Sequence, residues 1–258
     1  MRRINKLLLT LYSLICIIIL SGCSQNQRII NHINTNDLNL ALDSTVAFIA
    51  ERNSSEITPR ARINCSGFFI ADRLILSALH CFQDAVSVRL PNGEIIQIPT
   101  ILDPSGREFQ FIYRNQIEES SLVLLSEEIN EASIVLIDSD TDLALLELTE
   151  NTRVNELHLF LATEDPVVTE TVYVIGHPIE LAWSTSGGII SRILLNRNII
   201  QTNISIIGGY SGGPLINMRG EVVGLADAYI RNTPQISFFI SRQTIQTFLQ
   251  RYYSNDSR

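Results

Sequence analysis

The chain has 258 residues, 45% hydrophobic and 18% charged, and a formal net charge of −8. That acidic balance makes nucleic-acid binding a poor expectation, and 258 residues bound the answer at one sizeable domain or two small ones. With four cysteines and four histidines, and no close cluster of them, no zinc pattern is present and no cofactor is expected.

The first residues, Met1-Arg2-Arg3-Ile4-Asn5-Lys6, are basic, and residues 7–20 are nearly all apolar, which is the pattern of a secretion signal. The apolar run is shorter than the roughly 20 residues of a bilayer span, so a transmembrane anchor is the weaker alternative. Leu20-Ser21-Gly22-Cys23 resembles a bacterial lipobox. This implies a signal peptide over residues 1–22 and lipidation of Cys23. The mature protein is then expected in the bacterial cell envelope, anchored to a membrane by its lipid, on the periplasmic face of the outer membrane in a Gram-negative cell. Arg2, Arg3 and Lys6 leave with the signal, which moves the formal charge from −8 to −11. Lys6 is the only lysine, so a Ser–Lys mechanism is excluded. Residues 23–42 are rich in Asn and Gln and read as a tether, with His32 a solvated part of it.

From residue 43 short strand-like runs recur, at 45–49, 67–70, 74–76, 86–90 and 95–98, with Pro91-Asn92-Gly93 turning the last two into a hairpin. Residues 99–131 read as an insertion, a regulatory or packing loop rather than a second site. Strand character returns at 134–137, 171–175, 185–191 and 200–203, and again in a hairpin over 215–224. Many short strands broken by turn residues argue for an all-β barrel or sandwich. The chain closes on a helix over 241–253, with a serine N-cap and Ile245, Phe248, Leu249 and Tyr252 on one face.

Three segments carry chemistry. Gly208-Gly209-Tyr210-Ser211-Gly212-Gly213-Pro214 leaves one serine in a glycine-rich turn, where the N–H groups of Gly209 and Ser211 can converge as an oxyanion hole. Alone, such a turn is more often only a tight turn. Leu74-Ile75-Leu76-Ser77-Ala78-Leu79-His80-Cys81 runs an apolar strand into a histidine, and Thr141-Asp142-Leu143-Ala144-Leu145 sets a carboxylate before another. In this order the three resemble the histidine, aspartate and serine segments of the trypsin-like (chymotrypsin-fold) serine proteases. Thr171 to Pro178, Thr185 to Ser191 and Leu215 to Gly224 are most similar to the HtrA-type (Deg) bacterial envelope proteases.

The resemblance implies a protease domain over residues 43–258, built as two packed six-stranded antiparallel β-barrels with a C-terminal helix and lacking the PDZ domains such proteases usually carry. It implies a serine endopeptidase acting on envelope or extracellular polypeptides, with His80 as base, Asp142 orienting it and Ser211 as nucleophile. Asp138 and Asp140 compete with Asp142 and read as a solvated face. His177 and His158 read as structural. By spacing from Ser211, the residues Ser205, Ile206, Ala226 and Tyr229 are expected to form the substrate pocket, which favours small or medium apolar side chains. Cys65 and Cys81 flank the histidine segment where the family often carries a disulfide, and export makes that pairing expected, two buried free thiols being the alternative.

Two departures from the family stand out. Asp227 falls where relatives carry a small hydroxyl residue near the triad acid, and either crowds Asp142 or substitutes for it. Tyr210 replaces the Asn or Asp before the nucleophile, so no carboxylate awaits a newly cut N-terminal amine and activation without propeptide cleavage is expected. The rival function is a catalytically silent lipoprotein that binds unfolded or partner proteins with the same fold.

Overall fold

A computed structural model describes residues 33–50, 62–83, 85–90, 93, 95–99, 103–114, 129–150, 152, 156–181, 183–194, 198–229 and 235–256. The signal segment, Cys23, most of the tether and residues 115–128 lie outside these. Six strands close the first barrel in the order β1 (Thr45–Ala50), β2 (Arg62–Ala71), β3 (Leu74–Ala78), β8 (Leu143–Leu148), β7 (Asn130–Asp138) and β6 (Glu108–Tyr113). The second barrel runs β10 (Ser184–Leu194), β11 (Ile199–Thr202), β14 (Ser237–Ser241), β13 (Val222–Tyr229), β12 (Pro214–Ile216) and β9 (Thr171–Gly176). Strands β4 (Ala85–Arg89) and β5 (Ile95–Pro99) pair as a separate hairpin. This is the expected all-β, two-barrel chymotrypsin-like fold.

The alternation of side chains along a strand explains how two barrels share one core. Phe68 packs between the barrels while its neighbour Phe69 points into the first barrel. On β3, Leu74 and Leu76 face the second barrel and Ile75 the first interior; on β8, Leu143 and Leu145 oppose Ala144 and Leu146 in the same way. Both strands are therefore buried on two faces over residues 74–76 and 143–146, which is why those stretches read as continuous apolar runs. From the other side, Ile175, Ile216, Val222, Leu225 and Ile240 complete the shared cluster.

Helix α2 (Arg242–Asp256) closes this cluster with Ile245, Phe248 and Leu249, all buried, and the Thr244 N–H donates to Ser241 Oγ at 3.4 Å in the expected cap. Two expectations are corrected. The end of the supposed tether is helix α1 (Thr35–Asp43), whose Asn34 cap accepts the Asn36 N–H at 3.0 Å. Its Ala41 is fully buried and Leu38 and Leu42 pack on the inter-barrel cluster, so tertiary burial stabilises a segment too polar to show a clear period. The supposed insertion over 99–131 contains β6, which pairs with β1 and β7 and closes the first barrel.

Candidate active site

The register of two paired strands brings the first two site residues together. Ala78 of β3 stands opposite Leu143 of β8. The residues just beyond these ends, His80 in a 3-10 turn (Leu79–Phe82) and Asp142, therefore meet at the same edge of the barrel. Three bonds lock the pair: Leu79 N–H to the Asp142 carbonyl at 2.9 Å, His80 N–H to Asp142 Oδ1 at 2.9 Å, and the His80 ring Nδ1 to Asp142 Oδ2 at 2.5 Å. Asp142 adopts φ +55°, a conformation aspartate tolerates better than most residues and one that turns its carboxylate back towards His80.

With both oxygens of Asp142 accepting, Nδ1 carries the proton and Nε2 presents a lone pair, the tautomer a general base requires. Burial disfavours the charged ring, but the hydrogen bond and charge of Asp142, aided by the charge of Asp227, outweigh it and raise the His80 pKa above 6.5. Asp138 is not simply a solvated acid. Its Oδ1 accepts the Asp140 N–H at 3.0 Å and the Thr141 N–H at 3.3 Å, and its Oδ2 pairs with Arg251 of α2, so it braces the turn that delivers Asp142.

Ser211 is held from the first barrel. Its carbonyl accepts the Ser66 N–H at 2.8 Å, and Cys81 Sγ lies 3.8 Å from the same oxygen, directly beside the His80 segment. The Cys65–Cys81 disulfide is formed and ties β2 to the histidine turn. Gly212, at φ +81°, passes so close that an added Cβ would stand 2.1 Å from the Ser66 carbonyl and 2.2 Å from Ser77 Oγ. Only glycine fits there.

The preceding loop is anchored by His177, expected to be structural, and by Ser66, which the sequence left without a role. Ser66 Oγ donates to the Gly209 carbonyl at 2.7 Å and therefore accepts from His177 Nδ1 at 2.8 Å, while the His177 N–H donates to the same carbonyl at 3.3 Å. His177 is fully buried, and desolvation pushes its pKa down to about 3, so the ring is neutral with its proton on Nδ1. The Ser66–His177 contact spans 111 residues, and no local sequence signal announces it. The Gly208 carbonyl accepts the Ile179 N–H at 3.3 Å. Because a trans peptide points its C=O and N–H oppositely, the Gly209 N–H is turned away from that contact. Among the described residues neither the Gly209 N–H nor the Ser211 N–H is taken by another group.

Of the expected pocket residues, Ser205 is exposed, whereas Ile206 and Ala226 are 4% and 0% exposed and belong to the interior of the second barrel. The side chain of Tyr229 lies outside the described residues. Asp227, from β13, brings its carboxylate to within 4.8 Å of the ligand atoms of both His80 and Asp142. Within this cluster His80 and Asp142 are hydrogen-bonded to each other. The other cluster of potential metal-binding side chains, Cys65, His80 and Cys81, has its sulfurs consumed by the disulfide.

Two facing six-stranded barrels, with a His–Asp pair on one and a glycine-flanked serine on the other, define a protein of the chymotrypsin-like fold. Residues 65–225 match the trypsin-like peptidase domain, and the chain belongs to that family. It is 35% identical over 133 residues to the serine protease HTRA4 of Mus musculus, covering 48% of this chain and 27% of that protein. It is 33% identical over 127 residues to the mitochondrial serine protease HTRA2 of Drosophila virilis, covering 45% of this chain and 29% of that protein. The crystal structure of the serine endoprotease from Yersinia pestis shares the fold, with a TM-score of 0.60, 23% identity, and coverage of 84% of this chain and 66% of that one. The chain therefore matches less than a third of the length of these two curated relatives.

Proposed function

We propose that the protein is a serine endopeptidase in which Ser211, His80 and Asp142 act as a catalytic triad on polypeptide substrates. The observation that carries the reading is the doubly bonded Asp142–His80 pair, which fixes the imidazole with Nε2 free to accept a proton. Ser211 Oγ attacks the scissile carbonyl carbon as its proton passes to His80 Nε2, and the Gly209 and Ser211 N–H groups stabilise the oxyanion. Collapse of the tetrahedral species breaks the C–N bond, and His80 returns the proton to the leaving amine. Water then repeats the sequence on the acyl-enzyme, releasing the acid and restoring Ser211.

Of the expected pocket residues whose side chains are described, only Ser205 is exposed, and it is uncharged, which supports a preference for small or medium apolar side chains over Arg and Lys, whose charge would lack a partner there. The resemblance of Leu20-Ser21-Gly22-Cys23 to a lipobox supports a location on a membrane of the bacterial envelope, with envelope or extracellular proteins as substrates. The decisive experiment treats the protein with a serine-directed fluorophosphonate and with casein. Labelling of Ser211, and casein cleavage that disappears in Ser211→Ala, are the expected results. Absence of label on a folded protein would support the silent binder in its place.

A further inference from the structure

Asp227 sits where β13 breaks register. Ala226 pairs with Phe239 and Ala228 with Phe238, so no residue of β14 stands opposite Asp227. A bulge of this kind re-aims a side chain that a regular ladder would commit to one face of the sheet. Here the re-aimed group is a carboxyl. It meets Asp142, which arrives from the turn before β8, and His80, which arrives from the turn after β3, with ligand atoms of all three within 4.8 Å of one another. Leu225 faces the inter-barrel cluster and Ala226 the interior of the second barrel, so Asp227, two residues beyond Leu225, carries a charge to the side of the strand that faces the His–Asp pair.

We propose that Asp227 is a second acid of the site, a positioning residue that shares a proton with Asp142 and sets the base strength of His80. Two carboxylates in contact do not both ionise readily, so one proton is held between them at mildly acid pH. In that form the Asp227 hydroxyl donates to Asp142, adding a third bond to a carboxylate that already accepts the His80 backbone N–H and ring Nδ1. When Asp227 ionises, it becomes a second negative charge beside the imidazole and favours the imidazolium that forms in the transition state. Burial, followed by the charge of Asp142 and opposed by that of His80, lifts the Asp227 pKa to about 6; these are the two charged groups that act on it among the described residues. His80 and Asp227 therefore titrate as a coupled pair rather than singly.

The kinetic consequence rests on the peptidase reading; the protonation consequence does not. The test is the titration of the His80 ring, followed by NMR in the otherwise intact protein, in wild type, Asp227→Asn and Asp227→Thr. Both substitutions remove the second charge, and Thr supplies a hydroxyl. The His80 midpoint is expected to fall by about one pH unit in each, and the acid limb of kcat/KM on a peptide substrate to fall with it. In wild type alone, the His80 curve is expected to be shallower than a one-proton curve, which keeps the proposal testable if neither variant folds. An Asp227 that only packs would alter stability and leave the midpoint in place. An unmoved midpoint in a folded variant, or a simple one-proton curve in wild type, overturns the proposal. A falling midpoint in a protein that cleaves nothing would sustain it while refuting the peptidase reading.

Discussion

Acidification is expected to weaken the fold through one ring, His177. In the native state burial holds its pKa at about 3, whereas in the unfolded chain it titrates near the ordinary 6.5. The unfolded state therefore binds a proton that the native state refuses. Stability is complete above pH 6.5 and is lost progressively as the pH falls towards 3. Each pH unit in that window costs about 1.4 kcal/mol, which amounts to about 2 kcal/mol at pH 5 and about 5 kcal/mol at pH 3. Asp227 acts with the opposite sign. Its pKa of about 6 lies above the ordinary carboxylate value, so the native state takes up its proton first and gains stability as the pH falls from 6 towards 4. His80, with its raised pKa, acts with the same sign as Asp227. The wild-type profile mixes these contributions, and the variant His177→Asn isolates the first because it removes the titration while keeping a side-chain N–H for Ser66. Thermal melts from pH 7 to pH 4 measure it. Between pH 7 and pH 5 the wild type is expected to lose about 4–8 °C more than the variant, at about 2–4 °C per kcal/mol for a domain of this size. Only the pH slopes are compared, since the substitution has its own cost at neutral pH. Parallel melting curves for the two proteins would refute the assignment of a neutral, desolvated His177.

Reduction of Cys65–Cys81, sixteen residues apart, is expected to cost about 3 kcal/mol through the freed loop and to loosen His80, the neighbour of Cys81; urea unfolding with and without reductant measures it, and an unchanged midpoint refutes it. Gly212→Ala forces a Cβ against the Ser66 carbonyl at a backbone angle alanine avoids, and a loss above about 3 kcal/mol is expected in the same assay; a near-neutral result would mean that the nucleophile turn is not held as described.

The strands that hold the His–Asp pair were the most legible part of the sequence, because burial on both faces leaves apolar runs at residues 74–76 and 143–146, with Ser77 and Glu147 the polar exceptions at 74–78 and 143–148. The C-terminal helix was legible from Ile245, Phe248 and Leu249 at helical spacing. What stayed hidden depends on contacts between distant segments. Helix α1 carries Asn and Asp on its outer face and is stabilised by Ala41 meeting the inter-barrel core, which no local pattern encodes. Strand β6 is recognised only by its partners β1 and β7. The same holds in the site. His80 and Asp142 were readable from strand-end positions, but the Ser66–His177 anchor of the Gly209 carbonyl joins two barrels and looked in sequence like an ordinary serine and a core histidine. Asp227 was visible as a departure, and its orientation became intelligible only from the bulge in β13.

Tyr210 explains how the nucleophile loop is ordered without a charge. It is 5% exposed and packs in the second barrel among Ile204, Ile206 and Val223. It lies against Gly176 so tightly that an added Cβ there would stand 2.6 Å from Tyr210 Cδ1. Its own N–H donates to the Ile207 carbonyl at 3.3 Å and its carbonyl accepts the Gly213 N–H at 2.9 Å, so the backbone of Tyr210 ties both arms of the loop to the residue whose ring is packed in the barrel. An apolar anchor needs no incoming amine, and a chain that begins between Ser24 and about Asn39 is therefore expected to be equally active with a free or an acetylated N-terminus. Tyr210→Phe keeps the ring and is expected to retain labelling of Ser211 by the fluorophosphonate within about twofold, since a tenfold change already corresponds to about 1.4 kcal/mol. Tyr210→Asp buries a carboxylate with no partner at a cost of several kcal/mol and is expected to abolish labelling while the first barrel persists. Wild-type labelling that requires a free N-terminal amine, or a Tyr210→Asp variant that labels like wild type, would show that a charge pair and not ring packing sets the loop.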